Sequence, residues 1–325
     1  MNHETLKNFI ENDVTKCRVL VVGDAMLDKY YFGEVTRISP EAPVPINRVT
    51  KIKETLGGAA NVAHNLSLLG CHTSLIAQIG TENHGDTLID KLISRGVDIL
   101  GVIRTNEKPT TTKIRVISGH QQMLRLDFED GKEISDEDAE KLLLNISAQI
   151  KNVDAVIISD YGKGICTEKI CRSIIQKCRE QNKIVTVDPK GDDWSKYSGA
   201  NFITPNLKEL NDILPKKISN NDSEIEKAAR GVIEKFNLSG LIVTRSEKGL
   251  SVIDGEKISH IPAKTQEVFD VSGAGDTVIS VFTLGLAGKL DAAAAAYLAN
   301  AAAGVVVSKV GTYAVSRDEL LQALD

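Results

Sequence analysis

Apolar runs of strand length alternate with helix-length segments along most of this chain. Five of these runs are Arg18 to Val22, Ala155 to Ser159, Ile184 to Val187, Phe202 to Thr204 and Gly240 to Thr244. Short apolar runs bounded by turn residues are typical of strands buried on both faces of a parallel sheet. Ser74 to Ile79 and Ile99 to Ile103 are two further predicted strands, with a helix from Asp86 to Arg95 between them. The helical segments that separate the strands favour right-handed crossovers. The sequence therefore predicts an α/β fold: a doubly wound, mostly parallel sheet with helices on both faces.

The composition limits the classes of partner. The chain has 325 residues, 42% of them apolar, so a large core can form. No internal repeat or low-complexity linker divides it, which predicts a single domain over residues 1–325. Aromatic residues make up 4% and the net charge is −5, which argues against a base-stacking platform and a broadly basic surface. We therefore expect no nucleic-acid partner and no membrane partner.

The cysteines and the terminal segment bear on the compartment. The five cysteines show no paired metal spacing, and their odd number argues against a disulfide framework. Reduced, buried thiols indicate the cytoplasm. Met1 to Val14 is charged and lacks the apolar segment of a secretory signal. The apolar run from Ala292 to Val307 is interrupted by Asn300 and predicts a buried helix. A cytoplasmic location is therefore predicted.

The segment from Asp270 to Asp276 joins a predicted strand, loosely Ser259 to Val268, to an apolar helix that begins near Asp276. The small residues at the helix entrance, Gly273, Ala274 and Gly275, leave backbone N–H groups aimed at one place. The helix dipole makes that place an anion site suited to phosphate. Asp276 could accept a proton from a hydroxyl group while these donors stabilise a transferring phosphoryl group. The alternative is an ordinary helix start with an aspartate near the cap.

Polar residues also follow the first strand. Asp24 and Asp28 come where ligands collect at the carboxyl ends of parallel strands, so both could bind substrate hydroxyl groups. The alternatives are turn chemistry for Asp24 and a surface charge for Asp28. Gly57 and Gly58 precede a helix and permit close approach of the backbone to a ligand. Asn61 could pair with hydroxyl groups, unless this stretch is only a tight loop before a tightly packed helix.

Later strands end in loops with polar and basic residues. Asp160 and Lys163 follow one strand, and Lys163 is flanked by glycines, which suits a phosphate contact. The alternative for Lys163 is a solvated loop lysine. Lys190 follows the next strand. Asn206 and Glu209 lie three residues apart, on one face of a helix start.

Two β-prone segments, at about residues 30–53 and 110–128, predict a small β lid over the substrate. Pro40, Pro43 and Pro45 prevent the first segment from being a central strand throughout. The second segment alternates apolar and polar residues. An exposed apolar face on such a lid needs a partner, so a homodimer through the lid is predicted.

These features together resemble the PfkB/ribokinase family of carbohydrate kinases. The ordered set is Gly57-Gly58 with Asn61, Asn206 with Glu209, Thr244 with Gly249, and Gly273 to Asp276, and it covers almost the whole chain. The chain departs from the family pattern at Val271, where the family has threonine, and at Ser246, where it has glycine. The resemblance implies a ribokinase-like fold. No Walker P-loop is present, and the family does not use one.

The resemblance also implies an ATP-dependent reaction with Mg²⁺. Asp276 would be the catalytic base, and the N–H groups of Gly273, Ala274 and Gly275 would hold the phosphoryl charge. Asn206 and Glu209 would position Mg²⁺ through water, since Mg²⁺ retains most of its water ligands in proteins. The nucleotide would lie against Thr244, Ser246, Gly249 and Asn300. The region of Lys309 to Thr312, with Ser316 and Asp270, resembles a monovalent-cation site of some relatives.

Within the family, three stretches resemble the kinases that phosphorylate O1 of D-glycero-β-D-manno-heptose 7-phosphate, toward ADP-heptose for lipopolysaccharide. They are Gly23 to Tyr30, Arg37 to Pro45 and Ser159 to Gly164. The chain ends at Asp325 and so resembles a kinase-only form. Candidates to hold the 7-phosphate are Lys163, Lys190, Arg115 and Arg125, which the sequence does not rank. The alternatives are a kinase for another sugar, such as fructose phosphate, tagatose phosphate or ribose, and a non-catalytic nucleotide- or sugar-binding module.

Overall fold

The computed structural model describes residues 3–119, 121–264, 268–309 and 311–324. The strands are β1 (Arg18–Gly23), β2 (Ala25–Ile38), β3 (Pro45–Gly58), β4 (His72–Ile76), β5 (Gln78–Gly80), β6 (Ile103–Thr105), β7 (Thr111–Ser118), β8 (Gln121–Phe128), β9 (Ala155–Ser159), β10 (Ile184–Asp188), β11 (Phe202–Ile203), β12 (Gly240–Thr244), β13 (Leu250–Asp254) and β14 (Lys257–Ile261). The α-helices are α1 (His3–Asn8), α2 (Ala59–Leu68), α3 (Asn83–Ser94), α4 (Asp136–Ile150), α5 (Glu168–Glu180), α6 (Leu207–Ile213), α7 (Asp222–Phe236), α8 (Ala274–Ala287), α9 (Ala292–Val307) and α10 (Arg317–Gln322).

The main sheet has eight strands in the order β14-β13-β12-β11-β10-β9-β1-β4. The strands from β4 to β12 in that order pair in parallel, and β13 and β14 add an antiparallel edge. The chain leaves β1 for β4 on one side, and β9 later occupies the other side. Ligands of such sheets bind at the carboxyl ends of the strands where the order reverses. The predicted doubly wound, mostly parallel sheet is confirmed, and its binding crevice is expected beyond β1 and β9.

Helices cover both faces of this sheet. Helix α8 packs against β1, β9 and β10, while α5 also packs against β10. Thr186 of β10 hydrogen-bonds Thr283 of α8 (Oγ1 to Oγ1, 2.6 Å). Val185 and Val187 are buried, and strand alternation points them to the opposite face. Among the described residues, none of the helices combines the length and apolar character needed to cross a membrane.

A second sheet is built from the two segments predicted as a lid. Its order is β3-β2-β7-β8, with β2 parallel to β7 and antiparallel to β3. The strands extend beyond the predicted 30–53 segment, since β2 begins at Ala25 and β3 ends at Gly58. Pro40 and Pro43 lie in the turn between these strands, and Pro45 is the first residue of β3. We call this four-stranded sheet the lid sheet.

Three predicted strand boundaries differ from the structure. The strand expected over 74–79 is divided into β4 and β5. The strand expected over 99–103 is wrong, because the Asp98 side chain accepts a hydrogen bond from the Leu100 N–H (2.9 Å) and bends the chain there. Only β6, beginning at Ile103, forms nearby. The strand expected over 259–268 ends at Ile261, and residues 265–267 of that prediction lie outside the described residues.

Candidate active site

Asp276 lies at the start of α8 and is held on both carboxylate oxygens. Asn61, in the first turn of α2, donates from Nδ2 to Oδ2 of Asp276 over 2.7 Å. The Tyr161 hydroxyl group, from the loop after β9, donates to Oδ1. Asp276 is only 5% exposed. The structure therefore joins the predicted base to Asn61, for which only a contact with substrate hydroxyl groups was predicted, and to Tyr161, which the sequence analysis did not identify.

The environment of Asp276 brings its pKa into the range of a general base. Burial raises the pKa to about 6, against the lowering effect of the hydrogen bonds from Asn61 and Tyr161. The negative charge of Asp28 raises it further. The carboxylate is thus ionised at neutral pH and basic enough to accept a proton from a hydroxyl group.

The helix entrance supplies fewer free donors than predicted. Gly273 is the N-cap with φ of +82°, a conformation that glycine adopts without strain. The Ala274 N–H donates to the Val271 carbonyl oxygen over 3.2 Å, so Ala274 is not an available donor. No partner within the described ranges is found for the N–H groups of Gly273 and Gly275. A side chain added at Gly275 would meet no atom within 4 Å, so there is open space beside this residue, which also lines the cavity described below.

Asp24 and Asp160 both accept hydrogen bonds from the loop that follows β9. Asp24 is 2% exposed, and it accepts the backbone N–H groups of Tyr161 (2.9 Å), Lys163 (3.0 Å) and Ile165 (3.2 Å). Asp160 accepts the Gly162 N–H over 2.7 Å. Its Oδ2 atom also accepts hydrogen bonds from the Lys196 amine (2.6 Å) and the Tyr197 hydroxyl group (2.5 Å). All three backbone contacts of Asp24 go to the loop of residues 160–165, so the expectation that Asp24 binds substrate hydroxyl groups is corrected. Substrate binding by Asp160 stays a prediction.

The acceptor side of Asp276 is formed where the lid sheet meets α2. Asp28 of β2 is 6% exposed and pairs with Arg115 of β7 (Oδ1 to NH1, 2.6 Å). The Thr312 hydroxyl donates to the other oxygen of Asp28 over 3.4 Å. A side chain at Gly57 would come within 2.5 Å of that same oxygen. Gly58 has a φ of +54°, which permits the turn from β3 into α2.

The four basic candidates do not lie together. Arg115 and Arg125 are cross-strand neighbours on one face of the lid sheet, where Arg125 is held by Asp127 over 2.9 and 3.0 Å. The Lys163 amine pairs with Glu129 over 2.8 Å. Lys190 lies elsewhere, in the wall of the cavity described next, so its assignment to the acceptor side is corrected.

A polar cavity of about 160 Å³ lies on the other side of Asp276. It is lined by Asp160, Tyr161, Asp188, Pro189, Lys190, Thr204, Asn206, Glu209, Thr244 and Gly275. The predicted nucleotide residues Asn206, Glu209, Thr244 and Gly275 are thus brought together, although they come from three separate segments of the chain. Asp276 lies between this cavity and the acceptor side.

The carboxylates of the cavity could hold a divalent cation. Asn206 and Glu209 form a capping box at the start of α6, each accepting the other's backbone N–H over 2.9 Å. Burial raises the pKa of Glu209 above its usual value. Asp188, the last residue of β10, has a pKa raised well above its usual range by burial and by the charges of Asp276, Glu209 and Asp160. Such crowding favours a bound cation, and oxygen ligands suit Mg²⁺.

Asp188 was missed as a site residue in the sequence. The signal was nevertheless present, because an aspartate directly ends a parallel strand at the edge of the sheet where ligands bind.

The remaining nucleotide candidates come from the end of β12 and from α9. Thr244 ends β12 and lines the cavity. Ser246 has a φ of +54°, so it adopts the backbone conformation that favours glycine at this position of the family pattern. A side chain at Gly249 would come within 2.1 Å of the Ile261 carbonyl oxygen. Asn300 is 7% exposed, but its amide donates to the Pro262 carbonyl over 2.9 Å. That donor therefore ties α9 to the chain after β14, and the expected contact of Asn300 with the nucleotide stays a prediction.

The proposed cation region is partly engaged in other contacts. Asp270 accepts the Gly311 N–H over 2.9 Å, which brings these two parts of the pattern together. Ser316 instead caps α10, and Lys309 pairs with Glu319 over 3.4 Å. Val310 lies outside the described residues. A monovalent cation stays a prediction.

Sequence similarity to known proteins shows the class of this chain and its family. Residues 16–319 match the family described as "pfkB family carbohydrate kinase". The chain is therefore a phosphotransferase that acts on a sugar hydroxyl group with ATP as co-substrate. It belongs to the PfkB family of carbohydrate kinases.

A curated relative is similar in sequence over almost the whole chain, and two solved structures share its fold. "Bifunctional protein HldE" of Desulfatibacillum aliphaticivorans is 44% identical over 321 residues, which are 98% of this chain and 65% of that protein. The chain thus spans just under two thirds of the relative's length. Arabidopsis thaliana ribokinase, complexed with ribose and ATP, is 20% identical with a TM-score of 0.75, covering 95% of this chain and 98% of that one. Phosphofructokinase-2 from Escherichia coli, in complex with potassium, is 19% identical with a TM-score of 0.79 and the same coverage. These two structures confirm the ribokinase-like fold.

Proposed function

We propose that this chain transfers the γ-phosphoryl group of ATP to O1 of D-glycero-D-manno-heptose 7-phosphate, giving the 1,7-bisphosphate in ADP-heptose biosynthesis. The observation that carries the phosphotransfer is the position of Asp276 between the polar cavity and the lid sheet. The heptose substrate is supported by the resemblance of three sequence stretches and by the 44% identity to a bifunctional protein HldE. We further propose that residues 1–325 form one kinase domain that acts in the cytoplasm.

In the proposed reaction, Asp276 accepts the proton of the anomeric hydroxyl group as that oxygen attacks phosphorus. The N–H groups of Gly273 and Gly275 stabilise the charge on the transferring group. Asp28 orients the sugar through its carboxylate, and the free Oδ1 of Asn61 is available to a sugar hydroxyl group. Lys190 and Thr244 lie in the cavity wall, where ATP phosphates are proposed to bind.

Mg²⁺ is proposed to bind on the cavity side, held by Asp188 and Glu209 with Asn206 beside them, largely through water. When bound, it would neutralise charge on the ATP phosphates. The carboxylates provide the oxygen donors, and their raised pKa values are consistent with a site that is incomplete without a cation.

The 7-phosphate is proposed to meet the face of the lid sheet that carries Asp28. Arg115 and Arg125 lie on this face. Lys53 is a further candidate, because it lies on the same face of the lid sheet: in the strand register Lys53 of β3 is opposite Tyr30 of β2, and Arg115 of β7 is opposite Tyr30 on the other side. Its amine lies 3.7 Å from where a side chain at Gly311 would begin. Lys163 stays a candidate from the adjoining loop.

The test is ADP release from Mg·ATP with a panel of sugars and sugar phosphates. The panel includes D-glycero-D-manno-heptose 7-phosphate, the same heptose without phosphate, fructose 6-phosphate, tagatose 6-phosphate and ribose. The heptose phosphate is expected to give the highest kcat/KM. A preference for another sugar would support the kinase activity and contradict the proposal that heptose 7-phosphate is the substrate. Stabilisation by ATP without ADP release from any sugar would instead support a non-catalytic module.

The homodimer is proposed to form through the outer face of the lid sheet. This face exposes four large apolar side chains: Ile52 (57%), Leu124 (51%), Leu126 (41%) and Phe128 (46%). The strand register places Ile52 and Leu124 in one row across the sheet, with Leu126 in the next. A contiguous apolar patch of this kind favours association. A second copy would cover it without any further component, since a twofold axis presents the same patch to itself.

Leu126→Glu is the test of this interface. The wild-type protein is expected to be a dimer by light scattering, and the variant a monomer, because a buried unpaired charge opposes the contact. The control is Leu144→Glu on α4, where the leucine is 70% exposed and away from the lid. A monomeric wild type, or a dimeric Leu126→Glu variant, would contradict the proposal.

A further inference from the structure

Two buried carboxylates outside the proposed chemistry support one loop. Asp24 accepts three backbone N–H groups of residues 160–165, and Asp160 accepts a fourth from Gly162. Lys196 and Tyr197 fix Asp160 in turn. Burying a carboxylate is unfavourable unless hydrogen bonds or opposite charges compensate it. The compensation for Asp24 comes from the loop itself, and that for Asp160 comes from the loop together with Lys196 and Tyr197, so the two carboxylates and the loop conformation depend on each other.

The far side of the loop is also fixed. The Lys163 carbonyl oxygen accepts from the Lys108 amine over 2.9 Å, and the Gly164 carbonyl accepts the Ile134 N–H over 2.9 Å. Gly164 has a φ of +99°, and a side chain there would come within 2.0 Å of the Lys132 carbonyl oxygen. The loop is therefore held from both sides in one conformation.

What this loop presents to the site is the side chain of Tyr161. Its hydroxyl group donates to Oδ1 of Asp276, opposite the Asn61 donor on Oδ2. Tyr161 also lines the polar cavity, together with Asp188. It thus stands at the boundary between the acceptor side and the cavity, touching the proposed base. The backbone of residues 161–165 holds the loop on Asp24 and Asp160, and the side chain of Tyr161 contacts Asp276.

We propose that Tyr161 is a positioning residue for Asp276: it orients the carboxylate toward the acceptor hydroxyl group and stabilises its charged form, while Asp24 and Asp160 preorganise it. This inference rests on the proposed function of Asp276 as the base. It also assigns a purpose to two buried aspartates whose contacts are otherwise only structural.

The charges around Asp276 explain why such a donor is needed. Burial raises its pKa to about 6, and the facing carboxylate of Asp28, on β2, raises it as well. Asp188, on β10, also interacts with Asp276 through its charge. The hydrogen bonds from Tyr161 and Asn61 act in the opposite direction. Tyr161 remains a donor, because burial and the negative charge of Asp276 raise its own pKa well above the usual value.

The test is Tyr161→Phe, with kcat/KM measured against pH. In the wild type, activity is expected to fall as pH drops through about 6, where Asp276 takes up a proton. In the variant this acid limb should move up by about one to two pH units, the usual size of a hydrogen bond to a charged group. The activity on the plateau should fall about tenfold, with KM for ATP unchanged. The control is Tyr297→Phe, which removes a hydroxyl group from α9 that contacts His3.

A second measurement does not depend on turnover. The urea midpoints of wild type and Asp276→Asn are compared over pH, with and without Tyr161→Phe. Because the folded pKa of Asp276 is raised, its stabilising contribution is present at low pH and is lost as pH rises to about 6. In the Tyr161→Phe background this loss should extend to higher pH. If this pH range is the same with and without Tyr161→Phe, the inference about Tyr161 is overturned. The measurement needs no turnover, so it decides the inference even if the protein phosphorylates none of the sugars tested.

Discussion

An Asp276→Asn variant is expected to lose about 10²–10⁴-fold in kcat while retaining its affinity for ATP. Asp276 is buried beside the start of α8, and its pKa of about 6 leaves it ionised at neutral pH. Asparagine keeps the shape of the side chain and can still accept one hydrogen bond, but it cannot accept the proton. The measurement is ADP release for kcat, with calorimetric titration of ATP for affinity.

Two controls separate chemistry from folding. Asp291→Asn makes the same substitution at the N-cap of α9, where asparagine caps equally well, and activity should stay within about twofold. The Asp276→Asn protein itself should unfold at the same or a higher temperature, because burial disfavours the charged form that it removes. A variant that keeps more than a tenth of the wild-type kcat would show that another group takes the proton.

The parallel sheet could be predicted because its strands are short, continuous and apolar. Val19 to Val22 are all fully buried, which is the pattern expected of a strand covered on both faces. Boundaries set by single hydrogen bonds could not be predicted in this way. Ile99 to Ile103 has the apolar composition of a strand, but the Asp98 side chain bends the chain at Leu100. A run of apolar residues predicts that the segment is buried, but it does not predict a turn that is set by one side-chain hydrogen bond.

The place of the site could be predicted, but the roles of its acids could not. Asp24, Asp160 and Asp188 all lie at the carboxyl ends of parallel strands, where ligands bind. Whether such a carboxylate faces a ligand depends on which N–H groups the neighbouring loop brings to it. Asp24 meets a loop that is distant in sequence, so its hydrogen bonds could not be read from the spacing of residues around it.

Asn206 and Glu209 give the opposite lesson. Their spacing predicted one face of a helix start, and it also matches a capping box, which the structure contains. The two interpretations are compatible, because the capping box uses only Oε2 of Glu209 and does not involve Oε1. A helix cap here fixes the acid in the cavity wall, so a structural role and a proposed metal role share the same residues.

An Asp188→Asn variant is expected to lower kcat/KM by about 10–100-fold at limiting Mg²⁺ and to raise the Mg²⁺ concentration required for half-maximal activity. Asp188 ends β10 and shares the cavity with Glu209 and Lys190. Removing its charge takes away one of the two acids proposed to hold the metal's water shell. The measurement is a Mg²⁺ titration of ADP release at fixed ATP, with free Mg²⁺ calculated at each point.

The same substitution makes an independent prediction about stability. The pKa of Asp188 is raised well above its usual range by burial and by the charges of Asp276, Glu209 and Asp160, so the folded state without metal is strained by repulsion. Asp188→Asn should therefore unfold at a higher temperature than wild type in EDTA, and Mg²⁺ should stabilise it less. Asp192→Asn, an exposed neighbour outside the cavity wall, should change neither property. An unchanged Mg²⁺ requirement in Asp188→Asn would remove this acid from the metal site and leave Glu209 as its principal carboxylate.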